Sequence, residues 1–168
     1  RSLGKLIAFR KMGLIAENNH NNGVIPAFGG AALIIESENS TNINSRKILA
    51  EILEVRTKYN TNMFAQEKDW LHLYEAFFSR YQNQNPIVVL YDNGVDHSRE
   101  QEIKAIHKFF GNVNTVRYKP VVGYTGVANN LIDLALTLHD KNLSSNRLIL
   151  INGVGASTGL GALLILKH

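Results

Sequence analysis

Asn152-Gly-Val-Gly-Ala-Ser-Thr-Gly-Leu-Gly-Ala-Leu-Leu-Ile-Leu-Lys-His168 is the stretch that decides how this chain is read. It follows a short apolar run, Leu148 to Ile151. Gly153, Gly155, Gly159 and Gly161 allow positive φ and close backbone approach. Two structures use such a turn. In a dinucleotide site, phosphate rests on the N-terminus of a following helix. In the alternative, a glycine loop joins two strands. The first needs a long helix, a second strand and an acidic residue about 20 residues further on, whereas this chain ends at His168. Leu163-Leu-Ile-Leu166 is a continuous apolar run, which suits a buried strand better than an amphipathic helix. The reading is therefore strand, glycine loop, strand.

The length of 168 residues is enough for one domain with its own core. The net charge of +4 is mild and scattered, with no block of like charge, so nucleic acid is not an expected partner. The absence of cysteine excludes disulfides, thiolate metal sites and a cysteine nucleophile within this sequence. No apolar run approaches the roughly 18 residues of a membrane span, and no signal peptide is visible. A cytoplasmic protein is the expectation. Because the chain opens on Arg1, an upstream part is expected too.

Along the chain, apolar spacing predicts a helix over 2–15, weakened by Gly4 and Gly13. The run Asn18 to Asn22 reads as a mobile loop and Gly23 to Pro26 as a turn. Ala31 to Glu36 reads as a buried strand, Ser37 to Ser45 as a polar loop and Lys47 to Val55 as another strand. Gln66 to Tyr81 has a helical period through Trp70, Leu73, Tyr74, Phe77 and Phe78. Ile87 to Leu90 is a strong strand. Ser98 to Phe110 is a helix, with Ser98 as N-cap, Gln101 at the capping-box position and Gly111 as its stop. Val113 to Arg117 is a short strand, and an apolar helix runs from Gly126 or Val127 to His139. Alternating strands and helices mean an α/β fold.

Several of these segments, in this order, resemble the β-ketoacyl-acyl-carrier-protein synthases, the condensing enzymes of the thiolase fold. Gly23-Val-Ile-Pro-Ala-Phe-Gly-Gly-Ala-Ala-Leu-Ile-Ile-Glu36 is similar to the family's glycine-rich segment leading into a strand that ends Leu-Glu. Arg46 to Glu54 is similar to the strand after it. Leu90 to Ile106 resembles the His-Gly-Thr segment and its Glu-x-x-Ala-Ile helix. Lys119-Pro-Val-Val-Gly-Tyr-Thr-Gly126 resembles Lys-x-x-x-Gly-His-Thr-x-Gly, and Asn152 to Leu166 resembles the closing Asn-x-x-Gly-Phe-Gly-Gly loop and last strand. The resemblance runs from about Gly23 to Lys167.

The resemblance implies the C-terminal half of a thiolase-like subunit, with a mixed sheet covered by helices. Residues 1–36 would be the tail of an N-terminal half and residues 37–168 the C-terminal half. It also implies two histidines that promote decarboxylation and stabilise the enolate or oxyanion. The first falls on Asn93, if two residues are deleted from the loop, and the second on Tyr124. Neither side chain is an imidazole. The aromatic gate of the acyl-pocket loop (Gly153, Gly155, Ala156, Ser157 and Gly159) falls on Ala156. The family's supporting lysine and glutamate are matched by Lys119 and Glu102. The supporting pair is kept and the chemical pair is lost, a pattern similar to chain-length factors, the non-catalytic partners of active synthases.

The expected function is therefore a catalytically degenerate ketosynthase-like subunit that shapes an acyl pocket in fatty-acid or polyketide-type synthesis. Its expected partners are an acyl carrier protein, an acyl chain, the missing N-terminal half, and a second copy or an active ketosynthase in a dimer. No cofactor is expected. Two alternatives stay open: an active condensing enzyme completed by the absent half, and a nucleotide-binding oxidoreductase domain using the Gly153 to Gly161 loop. Plainer readings stand beside these. Lys119 and Glu102 could be unrelated surface charges, and Asn93-Gly94 a simple turn. Asp92, Asp96 and His97 lie after a strand, but acidic loop residues are more often solvated, so no metal is expected. Tyr124 could simply pack in a turn. Ser157 lacks the Gly-x-Ser-x-Gly elbow of a nucleophile.

Overall fold

A computed structural model describes residues 3–16, 22–40, 47–59, 64–155 and 159–168. In chain order the elements are α1 (Leu3–Lys11), β1 (Ala50–Tyr59), α2 (Glu67–Phe77), a 3₁₀ segment (Ser79–Gln84), β2 (Ile87–Val89) and α3 (Asp96–Phe110). After them come β3 (Thr115–Val116), α4 (Lys119–Val122), a 3₁₀ turn (Gly126–Ala128), α5 (Asn129–His139), β4 (Arg147–Val154) and β5 (Gly159–Lys167). The sheet order is β1-β5-β4-β2-β3. β1, β5 and β4 pair antiparallel, while β4, β2 and β3 pair parallel. The α/β reading holds, and the sheet is mixed.

The closing stretch forms the expected pair of adjacent strands. Its ladder continues into the glycines, with Gly153 opposite Gly161 and Val154 opposite Leu160. The Gly155 amide donates to the Gly159 carbonyl at 2.7 Å. Because a strand follows the turn, no helix N-terminus is present there to receive phosphate, and the dinucleotide reading fails. Ala156 and Ser157 lie outside the described residues, as do 18–21 of the expected asparagine loop and 41–45 of the expected polar loop.

Period-two alternation sends the sheet's side chains to two cores. Val88, Leu90, Leu150, Leu160, Ala162 and Leu164 meet Trp70, Leu73 and Tyr74 of α2 and Ala105, Ile106 and Phe109 of α3. Ile87, Val89, Ile149, Ile151 and Ile165 face the opposite side, where Leu134 and Leu138 of α5 pack. The aromatic stripe of α2 is thus core. Among the described residues, no helix is long and apolar enough to cross a membrane.

Two sequence expectations need correction. Ala31 to Glu36 forms no strand, and Ile34 and Ile35 are 84% and 74% exposed. Its apolar residues supply the side chains of a strand, but the described sheet, bounded by β1 and β3, offers it no neighbouring backbone. Ser98 is not the N-cap of its helix. α3 starts at Asp96, and Ser98 is buried inside the first turn. The exposed amides of that end are taken by side chains from before it. Asn22 Oδ1 accepts from the Asp96 amide at 2.9 Å, and Asn93 Oδ1 accepts from the Val95 amide at 3.0 Å. Gln101 instead accepts from the Glu67 amide of α2. Gly111, at φ 77°, ends α3 as expected.

Candidate functional site

β2 delivers the chain into the loop 90–95, and the site is built around that loop. Glu102, in the second turn of α3, sits beneath it and is 1% exposed. Its carboxylate accepts from the Tyr91 amide at 2.8 Å, the Asp92 amide at 3.2 Å and Asn152 Nδ2 at 2.8 Å. The same Asn152 nitrogen donates to the buried Tyr74 hydroxyl at 2.8 Å. Glu102 thus ties the loop to α3, β4 and α2 at once. It positions the loop and does not line the cavity.

Burial pushes the Glu102 carboxyl up from 4.5 to about 7, against the three donors that favour its charged form. The folded state therefore holds this proton more tightly than the unfolded chain. The stability it contributes is fully present below about pH 4.5 and is lost as pH rises through 7, by about 3 kcal/mol. Burial raises the Asp133 carboxyl as well, with Lys119 pulling it back, so Asp133 acts in the same direction. Denaturant titrations across this window should show stability falling with pH. Glu102→Gln has no proton to lose and should flatten the fall, at a constant loss because its amide cannot accept from every donor. An unchanged slope in the variant would contradict this account.

A cavity of about 290 Å³ opens above the loop, lined by Gly23, Ile25, Asp92, Asn93, Gly94, Arg117, Lys119, Pro120 and Tyr124. Asn93 and Tyr124, far apart in sequence, therefore face one space, and Lys119 joins them. Gly153, Gly155 and Gly159 are not among the lining residues. One wall is the segment 23–27, which lies against both loops. The Gly23 amide donates to the Gly94 carbonyl, the Tyr124 amide to Ile25, and the Ala27 amide to Tyr124. Glycine is required at two of these contacts. A Cβ on Gly94 (φ +92°) would fall 2.1 Å from the Gly23 carbonyl oxygen, and one on Gly123 (φ +74°) would fall 2.6 Å from Ala27 Cβ.

The charges in the site are paired. Lys119 is 4% exposed and forms an ion pair with Asp133 of α5. Its ammonium also lies 5.7 Å from the centre of the Tyr91 ring. Asp92, 1% exposed and at φ 31°, is met by Arg117 Nε at 2.5 Å and Arg99 at 3.7 Å. Arg99 pairs with Asp96 too. The acidic residues after β2 are thus engaged by arginine. Among the described residues, no group of three His, Asp or Glu side chains could hold a metal ion.

Sequence reasoning missed Tyr91, Arg117, Asp133 and Asn152. Asp133 left a signal, an acidic residue inside an otherwise apolar helix, which implies a buried cation nearby. Asn152 opens the closing glycine stretch, but nothing local announces its reach to Tyr74 and Glu102. Tyr91 gives no signal, because its partner Tyr124 is 33 residues away.

No family model and no curated protein matches the sequence. Solved structures do match. The ishigamide ketosynthase/chain length factor superposes with a TM-score of 0.83 at 13% identity, over 99% of this chain and 51% of that one. An oxazolomycin ketosynthase domain from Streptomyces albus JA3453 gives 0.79 at 10% identity, over 98% and 39%. A type II polyketide synthase acyl-carrier protein in complex with its ketosynthase gives 0.64 at 16% identity, over 79% and 37%. The chain thus spans about half the length of the first of these and less of the other two. At such identities the likeness is one of architecture, and it matches the layout of sheet, helices and closing hairpin described above: the chain has the fold of the thiolase-like ketosynthases.

Proposed function

We propose that the protein is a ketosynthase-like subunit that binds an acyl chain and performs no condensation itself. The observation that carries this reading is the cavity. Its lining brings together Asn93 and Tyr124, the residues that the resemblance matches to the two histidines, with Lys119 beside them. Glu102 and Lys119, which the resemblance matches to the family's supporting pair, are both buried and both engaged by partners, which supports a scaffold that persists without the imidazoles. The fold likeness to a ketosynthase/chain length factor supports the same reading. In it, residues 37–168 act as the C-terminal half of a thiolase-like subunit, and residues 1–36 as the end of the N-terminal half. The partners are that N-terminal half, an acyl carrier protein, and an active ketosynthase in a dimer. Exposed apolar residues such as Phe28, Ile34, Ile35 and Val121 fit a chain with more surface to cover.

The test is acyl binding. The purified protein is titrated with S-hexanoyl pantetheine, and saturable binding is expected. Tyr124→Trp, which puts a bulkier ring on the lining and removes the Tyr124 hydroxyl, should weaken it about tenfold or more. Absence of saturable binding, or binding indifferent to this substitution, would overturn the acyl reading.

A further inference from the structure

The cavity's donors and acceptors are unequally distributed, and the imbalance says what kind of atom belongs there. Asn93 lines the cavity and its Oδ1 already accepts from the Val95 amide, so Nδ2 is the donor it has left to offer a ligand. Tyr91 is 6% exposed, so its hydroxyl needs a partner, and it donates to the Tyr124 hydroxyl at 3.2 Å. A hydroxyl carries one proton. Once the Tyr124 oxygen accepts from Tyr91, the Tyr124 proton must turn to a different acceptor, and Tyr124 lines the cavity. Its ring is held by the edge of Tyr91, with centres 6.4 Å apart at 86°, and by Phe9 at 6.2 Å. Its backbone is tied on both sides to the segment at Ile25 and Ala27. The two cations on the lining are already committed, Lys119 to Asp133 and Arg117 to Asp92. Each cation on the lining is balanced by a buried carboxylate, so among the described residues the lining carries no net positive charge to favour a carboxylate or phosphate over the uncharged oxygen that Tyr124 and Asn93 can meet.

We propose that Tyr91 is a positioning residue, whose hydroxyl turns the proton of Tyr124 toward an uncharged carbonyl oxygen that Tyr124 and Asn93 receive together. The ligand class is a thioester or ketone carbonyl. This rests on the acyl reading above and adds to it the group recognised and the residue that orients the donor. Donation by Tyr91 also polarises the Tyr124 hydroxyl, which makes Tyr124 a stronger donor to the ligand. Consistent with that arrangement, burial holds the Tyr91 hydroxyl well above the usual phenol range, with Tyr124 adding to it, so Tyr91 keeps its proton to give.

The experiment compares S-hexanoyl pantetheine with S-hexyl pantetheine, a thioether that lacks only the carbonyl oxygen. The wild-type protein should bind the thioester about tenfold more tightly. Tyr124→Phe should abolish most of that preference. Tyr91→Phe should reduce thioester affinity about threefold and leave thioether affinity unchanged. Introduced into Tyr124→Phe, it should have no further effect on either, because the proton it orients is gone. A purely structural Tyr91 would weaken both ligands in both backgrounds, and that result would overturn the proposal. Equal binding of thioester and thioether by the wild type would overturn it while leaving the acyl reading intact. Binding of neither would overturn both.

Discussion

Lys119→Met is expected to cost about 3–5 kcal/mol of folding stability, and Asp133→Leu a similar amount, because each leaves an uncompensated charge in the interior. Both side chains are nearly inaccessible, at 4% and 0% exposed. The Asp133 oxygen not facing Lys119 has no hydrogen-bond partner among the described residues, so no neighbouring donor is in place to take over from the lost cation. Total stabilities of domains are only about 5–15 kcal/mol, so either single variant would come close to unfolding. The double variant should recover to within about 1–2 kcal/mol of the wild type, since two apolar side chains of similar volume carry no desolvation cost. Chemical denaturation of the four proteins measures this. Singles within about 1 kcal/mol of the wild type would mean that the pair is solvated in solution. A double variant as damaged as the singles would mean that packing, not charge, is what the pair supplies.

How much of this could be read from the residues varies with the range of the interaction. The closing hairpin was legible because four consecutive apolar residues, Leu163 to Leu166, sit beside glycines that set a turn. The helices were legible from their period, and the stop of α3 from Gly111. The start of α3 was misread because its amides are served by Asn22 and Asn93, and Asn22 is 74 residues away. No local capping motif can report a partner at that distance. Ala31 to Glu36 was misread for the converse reason. Its composition is that of a strand, but a strand exists only when another backbone lies beside it.

The site divides in the same way. Asn93, Tyr124, Lys119 and Glu102 could be singled out because each stands in a stretch that resembles a known motif. Their grouping depends on the parallel return of the chain through β2, β3 and β4, which brings two loops to the same end of the sheet. The roles of Tyr91 and Asn152 follow only from that grouping. Both make their defining contacts across the sheet or between loops, with partners distant in sequence. Pairwise chemistry of this kind is invisible until the backbone is placed.

In the proposed reading the cavity is kept and the condensing chemistry is not. Decarboxylative condensation needs a thiolate to carry the acyl chain and groups that steady the enolate as carbon dioxide leaves. The sequence has no cysteine, and among the described residues the cavity lining contains no histidine. A tyrosine and an asparagine can donate hydrogen bonds to an oxygen, but neither can hold the growing chain as a thioester. The most direct measurement follows label from a malonyl thioester into product with the purified protein, using hexanoyl pantetheine as acceptor, alone and with an active ketosynthase added. The protein alone is predicted to stay at the buffer control, and any turnover should require the added synthase. Product formed by the protein alone, and lost in Tyr124→Trp, would contradict the claim.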